Sequence, residues 1–338
     1  MPSVAEPERT RPKPRSRSRS GAGIFTITLD FELMWGTRDL FGNEGFGAAV
    51  VREREIVIDR LLALFTELRI EATWCTVGHL FLDRCEATGG VKHPELVSPT
   101  HSWYPDWLAL DPCSDEEHAP LYYGRSLLEK IRACKVPQEI GSHSFSHVIF
   151  GDKGCSRATA ESELRACVAV AEPLGISLQS FVFPRNQPGH LEVLRDAGFT
   201  VFRGRDAHWY TQPIVPENVR RAAHLVDVLL AREPPTVVPR FTDEGLWNVP
   251  GSMIYVPAYG VRRFIPRSWR VKAATRGLDA AVREQRVFHL WFHPTNMADD
   301  IESMFAGLRE ILEHARALED AGRLRIRALR DVPAEFLD

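Results

Sequence analysis

The chain has 338 residues, 44% hydrophobic and 26% charged, which fits one large globular domain and excludes a fibrous or wholly disordered chain. A formal net charge of −3 supplies no global basic field for nucleic acid, and no apolar run reaches the roughly 18 residues of a membrane span. Six cysteines without a C-x-x-C pair fit a reducing compartment better than a disulfide framework, and no chemistry is assigned to them.

Residues 1–22 read as a disordered basic tail, with Arg9, Arg11, Lys13, Arg15, Arg17 and Arg19 among Pro and Ser. Nothing in it is apolar enough for the core of a secretory signal, so the expected location is cytoplasmic. The catalytic domain is expected over 23–338. Ile24–Leu29 reads as a strand ending in acids, Asp30-Phe31-Glu32, followed by an amphipathic helix over Val51–Leu68 and a second strand over Glu71–Val77. Residues 88–119, rich in Pro, Asp, His and Trp, have little periodicity and read as a long ordered insertion, with a helix over Leu121–Ala133 after it.

Gln138–Gly141 leads into His143 and His147, Ala158–Pro173 is helical, and the strand Ser180–Phe183 ends at Pro184-Arg185-Asn186. A helix over His190–Ala197 and a strand over Thr200–Arg203 follow. After the less regular 204–265 come a helix over Ser268–Glu284, a buried strand over Val287–Phe292 ending at His293-Pro294, a helix over Ile301–Ala321 and a strand over Arg323–Leu329. Roughly seven β/α units with acids, histidines and an arginine just after the strands predict a barrel with its polar residues at the C-terminal strand ends. An open doubly wound sheet is the rival, but the glycine pattern it needs at its first turn is missing after Leu29.

Two histidines four residues apart, a carboxylate pair upstream and a further His-Pro downstream are the inventory of a metal hydrolase. In this order the motifs resemble the polysaccharide deacetylase family, the NodB-homology domain of carbohydrate esterase family 4. Thr28–Glu32 resembles its first motif, Glu139–His147 its second, Phe183–Gln187 a variant of the third and Leu290–Pro294 the last. The likeness spans about residues 24–330 and implies a distorted (β/α)7-type barrel.

The resemblance also implies roles. The family usually has adjacent aspartates in the first motif, and Phe31 stands at the second position here. On an acid-x-acid variant, Asp30 is the base and Glu32 a metal ligand with His143 and His147; spacing alone does not rank the two carboxylates. The ion would be divalent, most simply zinc, with Co, Ni, Mn or Fe as alternatives. His293 is the candidate acid, and Arg185 would orient Asp30. An acid partner for His293 would come from Asp206, Asp227 or Asp243. Trp35, Asn186 and Trp291 are candidate substrate contacts, whereas His79, His208, His224 and His289 do not join the set by spacing.

The activity implied is removal of an N-acetyl group from an amino sugar in a small glycoside, a nucleotide- or lipid-linked sugar or a glycan precursor. The rivals are another C–N hydrolase, opening a cyclic amide or ureide, and a non-catalytic carbohydrate-binding relative. The partner expected is a small-molecule or carbohydrate substrate, with no nucleic acid.

Overall fold

The first strand, β1 (Gly23–Phe31), is buried along its whole length, as expected of a strand in the middle of a parallel sheet with both faces covered. The computed structural model describes residues 12–36, 42–104, 106–109, 111–207 and 232–337. The other strands in chain order are β2 (Thr73–Thr76), β3 (Glu139–Ser142), β4 (Ser180–Val182), β5 (Val201–Arg203), β6 (Arg240–Phe241), β7 (Trp247–Asn248), β8 (Met253–Ile254), β9 (Val287–Phe292) and β10 (Leu324–Ile326). They form one sheet in the order β6-β7-β5-β4-β3-β2-β1-β9-β8, with β10 also on β1. Every pairing is parallel except that of β6 with β7.

The short segment around β7 and β8 curls this sheet toward closure. Val249 N–H bonds the Phe202 carbonyl of β5 (3.0 Å), and a few residues on, Ser252 N–H bonds His289 and Tyr255 N–H bonds Trp291 on β9 (2.9 and 2.8 Å). The expected α/β barrel is therefore present in distorted form.

The helices are α1 (Gly42–Arg52), α2 (Ile58–Glu67), α3 (Arg125–Arg132), α4 (Arg157–Ala171), α5 (Leu191–Asp196), α6 (Arg267–Glu284) and α7 (Ile301–Asp320). A π turn, Glu53–Val57, joins α1 to α2. Ser156 caps α4 through a bond from Thr159 N–H (3.1 Å), and Asp300 caps α7 through Ser303 N–H (3.3 Å). Helix α6 lies close on β9 because Gly277 has no side chain; a Cβ there would meet the Phe288 ring at 2.4 Å. The helix expected from Leu121 starts only at Arg125. Residues 121–124 are used otherwise: the Tyr122 carbonyl accepts bonds from the Trp35 and His79 rings.

Of the expected basic tail, residues 1–11 lie outside the described residues. From Arg15 the chain is docked: Arg15 N–H bonds Phe336, Ser18 N–H bonds Gln285 and Arg19 N–H bonds Glu335, all at backbone carbonyls. The tail expectation is therefore corrected from Arg15 onward, because these backbone donors find acceptors on the C-terminal segment and the α6–β9 turn.

Candidate active site

Parallel strands in such a barrel deliver their following residues to one end, and the polar groups collect there. Asp30 and Glu32 sit two apart at the end of β1, so both face the site. Phe31 points the other way into the core, edge-on to Trp74 at 6.0 Å. Glu32 Oε1 is the centre of the cluster, 2.8 Å from His143 Nε2, 3.2 Å from His147 Nε2 and 3.5 Å from His293 Nε2. Gly36 makes room for this carboxylate, since a Cβ there would lie 1.6 Å from Glu32 Oε2.

The histidine pair is not helical. It spans a loop after β3 in which Ser144 and His147 take left-handed backbone conformations (φ 61° and 63°), a strain that needs support from the surroundings. That support is Glu163 on α4, buried and absent from the sequence-derived set. Its Oε2 accepts the Phe145 and Ser146 N–H groups, both at 2.8 Å, and its Oε1 accepts the Ser146 hydroxyl at 2.6 Å. His143 Nδ1–H donates to the Val182 carbonyl (2.7 Å), which leaves Nε2 as the atom aimed at Glu32. Oxygen and nitrogen donors of Glu32, His143 and His147 all lie within 4.8 Å of one another. Two imidazole nitrogens and a carboxylate oxygen this close together are the donor types and spacing of a divalent-ion site, so the set fits such an ion.

Asp30 is held by Arg203, not by Arg185 as expected. The guanidinium binds it with two 2.7 Å bonds and also reaches Thr28 Oγ1 (2.8 Å) and Asn186 Oδ1 (3.0 Å). The reason is position: Arg203 ends β5 inside the barrel, whereas Arg185 follows β4 in a left-handed turn (φ 59°) and lines the mouth of the site. Burial works to raise the Asp30 pKa, but the charge and hydrogen bonds of Arg203, with the nearby His143 and His293, together outweigh it and hold the carboxyl below its usual range.

His289, also on β9, is buried and neutral: burial first, then the Arg203 charge, pull it down to about 3. Its Nδ1–H donates to the Pro250 carbonyl (3.1 Å) and its Nε2 accepts from Thr28 Oγ1 (3.0 Å), which places it behind Arg203 as a structural histidine. His293 is the opposite case. Burial would lower it, but Glu32 and then Asp30 raise it to about 9, so without a bound ion it carries a proton at neutral pH. Its Nδ1 meets the Asn296 side-chain amide at 3.3 Å. Of the expected acid partners, Asp206 instead accepts from Trp291 Nε1 (2.9 Å), Asp243 sits by the β6–β7 turn, and Asp227 lies outside the described residues, as do His208 and His224.

A cleft of about 260 Å3 opens over these groups, walled by Phe46, Tyr259 and Trp291 and edged by Arg185, Asn186 and Thr295. Trp291 lies under the Arg203 guanidinium, 4.4 Å from its ring centre. Trp35 is corrected: it is fully buried, donates to the Tyr122 carbonyl and packs on His79 at 4.3 Å, so it offers no face to a ligand.

Behind the cleft, Glu53 in the π turn is fully buried and accepts a hydrogen bond from Thr295 Oγ1. Burial pushes its carboxyl up to about 8, with the Glu32 charge adding to the effect. The folded state thus keeps a proton that the unfolded chain releases near 4.5. This contribution to stability is complete below about pH 4.5 and disappears as pH rises through 8. Melting temperatures across that window should fall with pH in the native protein and fall less in Glu53→Gln; parallel curves would contradict the assignment.

No family model and no curated protein matches this sequence. Solved structures do match in fold. A putative polysaccharide deacetylase from Mycobacterium smegmatis is 12% identical with a TM-score of 0.63, over 96% of this chain and 94% of that one. The Puue allantoinase is 12% identical with a TM-score of 0.60, over 99% and 97%. A probable polysaccharide deacetylase from Pseudomonas aeruginosa PAO1 is 12% identical with a TM-score of 0.59, over 96% and 94%. With its curled parallel sheet and its carboxylates and histidines at the C-terminal strand ends, the chain has the fold that these polysaccharide deacetylases share with that allantoinase.

Proposed function

We propose that this chain is a metal-dependent hydrolase that removes an N-acetyl group from an amino sugar, carried in a small glycoside, a nucleotide- or lipid-linked sugar or a glycan precursor. Residues 23–338 act as the catalytic unit. The observation that carries this reading is the convergence of three imidazole Nε2 atoms on Glu32 Oε1, beside an Asp30 carboxylate held ionised by Arg203.

Glu32, His143 and His147 would hold the ion, with zinc suiting the donors best. Bound there, a divalent ion supplies Lewis acidity toward an amide carbonyl and toward water. Asp30 takes the proton of the attacking water, and Arg203 fixes the direction of its carboxylate. His293, 3.8 Å from Asp30 Oδ2, would in its protonated form give a proton to the departing amine. Trp291 and Tyr259 offer apolar faces to a sugar ring, and Asn186 and Arg185 offer polar contacts at the mouth. No helix among the described residues is long and apolar enough to cross a membrane.

The allantoinase likeness favours one second reading, hydrolysis of a cyclic amide or ureide on the same residues. Acetate release from N-acetylated sugars, compared with ureide opening, each with and without chelator, separates the two. The expected result is acetate release that chelator abolishes, a divalent ion restores and His143→Ala/His147→Ala lacks. Chelator-resistant ureide turnover would move the assignment to the second reading.

A further inference from the structure

A second group of donors lies outside the cleft. His79, Cys85, His93 and Asp111 each present one ligand atom, and these atoms all fall within 4.8 Å of one another. We propose that these four side chains form a structural zinc site that clamps the 88–119 insertion onto the loop carrying His143 and His147. This inference is independent of the deacetylase reading, since it uses none of the same residues.

The argument rests on tautomers and distances. His79 Nδ1 faces the Tyr122 backbone carbonyl at 3.2 Å; a carbonyl only accepts, so Nδ1 carries the hydrogen and Nε2 is the atom turned inward. That atom lies 3.4 Å from Asp111 Oδ2 and 3.7 Å from Cys85 Sγ. His93 has Nδ1 on Glu95 Oε1 at 3.0 Å and Nε2 on Asp111 Oδ2 at 2.9 Å. Cys85 Sγ is 3.8 and 3.9 Å from the two Asp111 oxygens. A tetrahedral zinc with bonds of about 2.0–2.3 Å holds its ligand atoms about 3.3–3.7 Å apart, and the separations here, from 2.9 to 3.9 Å, bracket that range. Without an ion His93, with a carboxylate on each ring nitrogen, donates to Asp111 as an imidazolium; a divalent ion would take the place of that proton and also engage His79 Nε2 and the Cys85 sulfur.

The supporting groups are also those of a metal centre. Asp111 Oδ1 accepts the Cys113 N–H at 2.9 Å, leaving Oδ2 to the centre. The Tyr123 hydroxyl accepts Ser114 N–H at 2.8 Å and donates to Cys85 Sγ at 3.1 Å, a bond that favours thiolate. Phe145, Tyr123 and Trp35 ring the two histidines, while Cys85 and His93 border a surface pocket through which an ion can enter. The mixed nitrogen, sulfur and oxygen set with a thiolate selects zinc over magnesium or calcium. The mechanical consequence follows from connectivity. His79 N–H bonds the Phe145 carbonyl and Gly78 N–H bonds the Ser144 carbonyl, at 2.9 and 2.8 Å, so an ion on His79 ties the insertion to the histidine loop of the cleft.

Cobalt(II) tests this, because a cysteine ligand is present here and absent from the cleft. Full-length protein stripped with chelator and titrated with cobalt should develop a thiolate-to-cobalt charge-transfer band in the near ultraviolet that saturates by two equivalents, the cleft taking the other ion, and at one equivalent in His143→Ala/His147→Ala. The band should persist in His143→Ala/His147→Ala and vanish in Cys85→Ser. Zinc loading of the unmodified protein should also slow alkylation of Cys85, mapped by mass spectrometry, by about tenfold or more, a readout that needs no variant to fold. No band in the native protein at excess cobalt, a band that survives Cys85→Ser, or Cys85 alkylation unaffected by zinc would each overturn the site. Failure of acetate release with these results intact would count only against the function proposed for the cleft.

Discussion

Replacing Arg203 by methionine is expected to remove about 3–5 kcal/mol of folding stability, because it leaves the Asp30 carboxylate buried without its partner. Both members of the pair are almost wholly inside, with side-chain exposures of 0% and 4%, so solvent does little to soften the loss. Thr28 and Asn186 lose a donor in the same step. Asp30→Asn alone leaves a buried cation, and the double variant leaves neither charge. Urea melts of the two single variants and the double should therefore show strong coupling, with the double less unstable than the sum of the singles. Additive losses would mean that the ion pair is not the interaction holding this end of the barrel. Arg185→Met, at the half-buried mouth of the cleft, should cost much less, and this contrast distinguishes the two arginines. The sign with pH is also set: the Asp30 pKa is depressed below 3.8, so the pair contributes above that value and its contribution is lost as pH falls through the folded pKa.

Glu163→Ala is expected to have the second large effect. The Phe145 and Ser146 N–H groups and the Ser146 hydroxyl would lose their acceptor in a buried place, at about 1–3 kcal/mol for each donor left unmade. The loop also carries His143 and His147 in a backbone path that includes two left-handed residues, so its loosening should weaken divalent ion binding by about 10–100-fold. Glu163→Gln keeps a carbonyl oxygen for the two N–H groups and should recover most of both losses. Competition titrations against a chromophoric chelator, paired with melts, check this. An alanine variant that melts early but binds the ion as tightly as the native protein would show Glu163 to be a stability residue only.

Much of the site was legible because its signals are local. A buried strand that ends in Asp-x-Glu announces two carboxylates on one side, and the structure places Asp30 and Glu32 there because side chains alternate along β1. Histidines four apart between a strand and a helix announce a shared target, and His143 and His147 meet at Glu32. The order of β and α segments likewise follows from hydrophobic period, which is why the expected strands and helices appear within a few residues of their places. Amphipathic period also explains what it could not show: Leu121–Gly124 has helical character but is drawn into a turn by bonds to Trp35 and His79.

Tertiary structure alone decided the partners. Which arginine meets Asp30 depends on the neighbour order of strands β1 and β5 across a curled sheet, and no spacing along the chain carries that information. Trp35 looked available because it lies near the acids in sequence, yet the turn after β1 rotates it into the core. Glu163 and Glu53 are single acids on helices, ordinary in sequence and distinctive only once burial and hydrogen bonds surround them. His79, Cys85, His93 and Asp111 are irregularly spaced along a segment without period, and only the folding of the insertion brings them together. Sequence by itself determined the alternation of elements and the chemistry delivered at the ends of β1, β3 and β9, since those follow from backbone geometry within one element. Contacts between elements, and the charges and protonation that burial imposes on them, were decided by the packing of the barrel.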